Sequence, residues 1–206
     1  MSKYLGPRLR IIRRFGNLPG LTTKITTKKS LAQYRGGTSQ KKTQKSSDYK
    51  IRLLEKQKLR YNYGLTECQL KKYVRESKRK KGSTAFFLMQ LLEMRLDTII
   101  FRLGFSPTIP AARQFVNHAH VRINGKKINI PSFQCQPNDV ITLQNKKGTK
   151  QLVEKSLANP RFSTLPNHLK LDSKLLKAEI LDLVSKKDLS FEVNELLIVE
   201  YYARIV

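Results

Sequence analysis

Apolar and polar positions recur with two different periods along this chain, and the change of period divides it. Over residues 51–81 the spacing is helical. In "RLLEKQKLRYNYGLTE", Arg52, Lys56 and Arg60 recur every four residues and so share one face of a first helix. A second helix opens on Thr66 and Gln69 at capping-box spacing and carries Leu70, Tyr73 and Val74 on its apolar face. It runs to "SKRKKG", where Gly82 can end it, with Lys71, Arg75, Lys78 and Arg79 on the opposite side. The apolar run "AFFLMQLLEMRLDTIIFRLGF", residues 85–105, predicts one long helix or two abutting ones. Leu96, Ile99, Ile100 and Leu103 form its buried stripe, and Arg95, Thr98 and Arg102 occupy another face. "SPTIP" breaks the pattern, and Thr108 then caps a helix with Pro110 in its first turn. Ala112, Phe115 and Val116 point inward from that helix, leaving Arg113, Gln114, Asn117 and His118 outside.

The period then falls to two. Val121 and Ile123 alternate with Arg122 and Asn124, and Asn124-Gly125 marks a tight turn leading to Ile128 and Ile130. A further turn, "QPND", precedes the strand "VITL". The hairpin tip thereby displays Arg122, Lys126 and Lys127 beside the exposed helix face. "NKKGTKQLVEKSLANP" reads as a short exposed helix, and "LPNHLKLD" and "LLKAEILDLV" as strand-like or mixed segments. The tail "VNELLIVEYYARIV" is apolar, aromatic and β-prone, so it is expected to close a sheet. No repeat of fixed period is present.

At the other end, "MSKYLGPRLRIIRRFGNLPGL" reads as an irregular basic arm with its apolar side chains docked. Residues 22–50 turn to Thr, Lys, Ser and Gln and offer little apolar area against the entropy of ordering. They are either a linker or an arm that orders on a polyanion. The fold class expected is α+β: helices first, then two helices packed on a short, mostly antiparallel sheet, with an extended basic arm ahead of them.

Charge turns this pattern into a functional reading. The 206 residues hold 41 Lys and Arg against 15 Asp and Glu, a formal charge of +26. Such a chain repels itself unless a polyanion neutralises it. In "RQFVNHAHVRINGKK", residues 113–127, almost every outward position is basic, amide-bearing or histidine, and no carboxylate interrupts it. The long apolar run is broken by Glu93, Arg95, Asp97 and Arg102, so it reads as core helix and not as a membrane span. "MSKYLGPRLR" carries no apolar stretch of the signal-peptide kind. Cys68 and Cys135 stand alone, with no CxxC, which fits a reducing compartment and gives no basis for a disulfide framework or zinc site.

"GPRLRIIRR", "RLLEKQKLRYNYGLTE", "LLEMRLDTIIFRLGF", "ARQFVNHAHVRINGKKINIPSF", "PNDVITL" and "NELLIVEYYAR" together resemble the small-subunit ribosomal protein four family, in that family's order and over nearly the whole chain. The text is most similar to chloroplast-encoded members. The resemblance implies a basic arm and variable linker over residues 1–50, a module of the ribosomal protein four type over 92–155, and a helical part over 51–91 that 156–206 closes. It also implies a structural, non-enzymatic role in the chloroplast small ribosomal subunit: direct binding of small-subunit rRNA early in assembly of the body, and a contribution to decoding accuracy with proteins five and twelve. Some bacterial relatives hold zinc through four N-terminal cysteines that this chain lacks, so no metal or other cofactor is assigned. "STAFF" at residues 83–87 replaces the usual "STG" and leaves the local helix start open, and the segment after Gly20 matches the family poorly.

Specific RNA recognition needs cations for phosphate and planar donors for bases and ribose hydroxyls. Arg95, Arg102, Arg113, Arg122, Lys126 and Lys127 supply the first, with Arg8, Arg10, Arg13, Arg14, Arg52, Lys56, Arg60, Lys71, Arg75 and Arg79 beyond the module. Gln114, Asn117, His118 and Asn124 supply the second. His118 and His120 form an H-x-H, but no cysteine or carboxylate lies nearby to complete a metal site. Tyr49, Tyr61 and Tyr63 interleave with basic residues and can stack on bases, while Tyr73 is assigned to the core. Two other classes compete. "RLD" at residues 95–97 superficially resembles the catalytic loop of pseudouridine synthases, which carry a similar module. A free RNA chaperone would use the module without the extra helices. No phosphate loop, activated nucleophile or paired carboxylates support a substrate pocket.

Overall fold

The computed structural model describes residues 4, 6–24, 47–158, 165–172, 175–189, 191 and 193–203. Residues 25–46 lie outside these, and with them the expectation of an arm that orders on a polyanion. The architecture is α+β.

The N-terminal arm is helical where an irregular strand of chain was expected. Helix α1 (Arg8–Phe15) places Ile11 and Ile12 inward, and Leu18 and Leu21 follow them into the core. Apolar side chains three and four apart give this short segment a second face, which is enough to order it once that face is docked. Gly20 then passes so close to the end of the next helix that a Cβ would stand 2.6 Å from the Asn62 carbonyl oxygen. Its N–H donates to Asn62 Oδ1 at 3.0 Å, and its carbonyl accepts from the Ile109 N–H at 2.8 Å.

The helices of the body start at polar caps. Helix α2 (Asp48–Asn62) begins after Ser47, whose hydroxyl accepts from the Lys50 N–H. Helix α3 (Glu67–Arg79) has the reciprocal Thr66–Gln69 capping box. Ser83 caps α4 (Thr84–Glu93), which settles the start left open by "STAFF". The long apolar run is two abutting helices: Met94 ends α4, and α5 (Leu96–Arg102) begins after Arg95. Thr108 caps α6 (Ile109–Asn117), with Pro110 in the first turn.

Strands β1 (Val121–Ile123) and β2 (Lys126–Lys127) form the hairpin, with Asn124 and Gly125 at φ 50° and 78°, the left-handed pair that a two-residue turn demands. Strand β3 (Val140–Leu143), helix α7 (Lys147–Leu157), and strands β4 (Leu169–Asp172) and β5 (Lys177–Ile180) follow. The sheet has the order β2-β1-β3-β5-β4, antiparallel at every pairing. Ile141 pairs with Ala178, so the C-terminal segment adds two strands to the module's sheet. A boundary at residue 156 therefore cuts through one sheet. Helix α7 is only partly exposed: Thr149, Val153 and Ser156 are buried.

The tail is the clearest correction. "ELLIVEYYA" forms helix α8 (Glu195–Ala203), not a strand, and packs against α2, α3 and α4. Ile198 and Tyr202 are fully buried, and the Tyr202 hydroxyl donates to Glu67 Oε1 at 2.6 Å. One contiguous core joins α1 to α8 and the sheet. None of the described helices is long and apolar enough to cross a membrane.

Candidate nucleic-acid interface

Two elements carry exposed cations outside any salt bridge to a described residue, and a third carries exposed amide and histidine side chains. On α3, Arg75, Lys78 and Arg79 are exposed and Lys71 is half-buried, opposite the buried Leu70, Tyr73 and Val74. On α6, Gln114, Asn117 and His118 are exposed while Phe115 and Val116 are buried. At the hairpin Arg122, Lys126 and Lys127 are exposed. No salt bridge joins any of these cations to the described residues. The chain from Thr98 to Asn138 contains no Asp or Glu.

The ladder register sharpens this. Arg122 stands directly opposite Lys127. Like charges facing one another across a strand pair oppose the pairing they sit on. Asp139 is engaged with the hairpin itself: it accepts from Asn124 Nδ2 and from the Gln136 N–H, both at 2.8 Å, and makes no salt bridge to either cation. Asn124 is occupied as well, since its Oδ1 accepts from the Val140 N–H at 2.9 Å. Its amide braces the turn and is not an open base-reading group. His120 turns inward, with its ring 4.9 Å from that of Phe115 and Nδ1 3.0 Å from the Thr149 hydroxyl. His118 stays exposed.

Arg95, Arg102 and Arg113 do not face outward as expected. Arg95 is 2% exposed; its Nε and Nη2 donate to the two oxygens of Asp97 at 2.9 and 2.8 Å, and Nη1 reaches the Tyr73 hydroxyl. Arg113 Nε donates to Asp97 Oδ2 at 2.9 Å, and its two Nη atoms donate to the carbonyls of Gly64 at 2.6 Å and Tyr63 at 2.9 Å. Arg102 forks onto the buried Glu93, which also accepts from the Tyr63 hydroxyl. Burial works against ionisation of Glu93, yet the Arg102 charge and these hydrogen bonds hold its carboxyl below the usual carboxylate range. Tyr63 is thereby removed from the stacking candidates: it is buried, and burial beside Glu93 pushes its hydroxyl well above the usual phenol range.

The α2 ridge is also corrected. Lys56 is 4% exposed and bonds Glu67 at 2.9 Å, and Arg52 Nε bonds Glu200 at 2.7 Å. Arg60 lies over the Tyr61 ring and donates to Gln57. Arg52 and Lys56 meet α8 through Glu200 and the Tyr201 ring, while Arg52 and Arg60 stay half-exposed. In the arm Arg8, Arg10 and Arg14 are exposed and Arg13 is half-buried. Tyr49 is exposed beside the Tyr201 ring, and Tyr61 is packed between Tyr4 and Phe15. The helical spacing of α3 passes over Lys72, Lys80 and Lys81, all exposed. The signal for the last two is simply the run "SKRKKG".

Gly64 shows how closely Arg113 is seated. Its φ is +60°, and a Cβ there would meet Arg113 Nη1 at 3.2 Å. Gly64→Ala is expected to destabilise the protein by about 1–2 kcal/mol, combining left-handed strain with displacement of the guanidinium. Urea unfolding checks this; an unchanged midpoint means that Arg113 does not sit against the turn.

Comparison with known proteins then fixes the lineage. Residues 3–93 match the model of the ribosomal protein S4/S9 N-terminal domain, and residues 94–141 that of the S4 domain. The chain is 53% identical to small ribosomal subunit protein uS4c of Cyanophora paradoxa over 99% of this chain and the whole of that one. It is 53% identical to uS4 of Cyanothece sp. over the full length of both. The uS4c of Gracilaria tenuistipitata var. liui is 52% identical over 99% of this chain. The chain belongs to the uS4 family of small ribosomal subunit proteins. This is a structural family, not an enzymatic one. The geometry agrees: Asp97, the residue that could be compared with a synthase aspartate, is fully buried between two arginines and cannot meet a substrate.

Proposed function

We propose that this protein binds small-subunit rRNA directly and as a primary partner, that it seeds assembly of the subunit body, and that with proteins five and twelve it contributes to decoding accuracy. Its place of action is the plastid, in keeping with full-length relatives that carry the name uS4c. The RNA-facing groups are Lys71, Arg75 and Arg79 on α3, Gln114, Asn117 and His118 on α6, Arg122, Lys126 and Lys127 on the hairpin, and Arg8, Arg10, Arg13 and Arg14 in the arm.

The observation that carries this reading is Arg122 facing Lys127 across the hairpin, with neither in a salt bridge to a described residue. In the free protein this arrangement opposes folding. Against a phosphate backbone it becomes a clamp. The two states therefore predict opposite signs for one substitution. Lys127→Gln is expected to raise the thermal stability of the free protein by about 0.2–1 kcal/mol. The same change weakens rRNA binding and lowers the salt slope by about 1. Calorimetry and filter binding on the same preparation check both. A variant that is less stable and binds as well as the parent rules out the clamp.

A further inference from the structure

The two family models meet between residues 93 and 94, and three arginines of the second reach back across that line. Arg113 on α6 donates to the Tyr63 and Gly64 carbonyls at the end of α2. Arg95 ahead of α5 donates to the Tyr73 hydroxyl in the middle of α3. Arg102 at the end of α5 forks onto Glu93 at the end of α4. Tyr63 joins the two sets, because its carbonyl serves Arg113 while its hydroxyl serves Glu93. Asp97, at 0% side-chain exposure, holds Arg95 and Arg113 together.

Every charged group here is used up internally, so the cluster offers nothing to an RNA. It does fix direction. The carbonyls that Arg113 caps lie at the C-terminal end of α2, the negative pole of that helix, where a guanidinium is favoured. The next residues, Leu65 and Thr66, start α3 and so set where Arg75, Lys78 and Arg79 point. On α6 the neighbours of Arg113 are the exposed Gln114 and Asn117. One guanidinium therefore ties the origin of the α3 cationic face to the helix that carries the amide and histidine face.

We infer that Arg113 is a positioning residue: through Asp97 and the Tyr63–Gly64 carbonyls it locks the α3 face and the α6–hairpin face into one rigid two-part footprint. The inference rests on the proposed rRNA-binding function. A planar fork that meets three acceptors is the part of the design that lysine cannot reproduce. With the lock intact, engagement of one face presents the other at high effective concentration, and that linkage is lost when the relative orientation loosens.

The test is chemical footprinting of small-subunit rRNA titrated with full-length protein. Protections lost in Arg75→Ala/Arg79→Ala define the α3 set, and those lost in Lys126→Ala/Lys127→Ala define the hairpin set. In the parent both sets are expected to appear at one protein concentration. In Arg113→Lys their midpoints should separate by about tenfold, while the salt slope stays at the parental value because no phosphate contact has been removed. Arg102→Lys, on the adjoining network, should give the same split and serves if Arg113→Lys does not fold. Midpoints that move together, or do not move, in both variants overturn the lock and reduce the cluster to ordinary stabilisation. Failure of the parent to protect either set would instead overturn the rRNA-binding reading.

Discussion

Asp97→Ala is expected to lower stability by about 3–5 kcal/mol, because it strands a buried guanidinium without its countercharge. Asp97 has no solvent exposure and accepts from Arg95 on both oxygens and from Arg113 on one. Arg95 is itself 2% exposed, so it cannot turn to water when its partner is removed. Domains of this kind are stable by roughly 5–15 kcal/mol, so the loss is a large share of the total. For a chain of this size it corresponds to roughly 10 °C or more in the melting temperature. Asp97→Asn keeps the shape but offers one acceptor where two are needed, and should also be destabilised. Thermal and urea unfolding of the free protein decide the matter. A loss below about 1 kcal/mol for the alanine variant would mean that water reaches the site and the network is not the folded state.

The second large effect is on binding. Affinity for the rRNA site should fall roughly 10³–10⁵-fold between 50 and 200 mM salt, the behaviour of about 6–10 phosphate contacts. The exposed cations of α3, the hairpin and α1 are sufficient in number without any of the buried arginines. That gives the measurement an internal control. Arg95→Met is expected to leave the salt slope unchanged, since Arg95 meets Asp97 and Tyr73 and no phosphate. A flat parental slope, or a slope that drops with Arg95→Met, contradicts the assignment of contacts.

Most elements could be read from local chemistry. The capping box at Thr66, the Thr108 cap and the Asn124-Gly125 turn are short-range signals, and each appears where its residues require. Two readings failed for one physical reason: a sequence displays a charge or an apolar run but not what lies against it. Helix α8 has apolar residues almost all round, with Ile198 and Tyr202 buried and Leu196 left exposed, so its 3.6-residue period is hidden and its β-branched and aromatic residues suggest a strand. Of the positions of α5 taken for an outward face, Arg95 and Thr98 are as buried as its apolar stripe, and Arg102 is half-buried against Glu93. A usable clue was present at Glu93 and Asp97. In a chain with nearly three cations for each acid, a carboxylate inside an apolar run points to a nearby guanidinium that it neutralises. With Arg95, Arg102 and Arg113 close in sequence, those were the cations to withdraw from the list of RNA contacts.

Helix α8 has a further consequence for the order of events during synthesis. It covers Arg52 and Lys56 with Glu200 and the Tyr201 ring, and it is the last of the described helices to leave the translating machinery. Until then Arg52 lacks its Glu200 partner and Lys56 lacks the Tyr201 ring above it. Chains interrupted before residue 195 are therefore expected to hold nucleic acids less discriminately than those that carry α8.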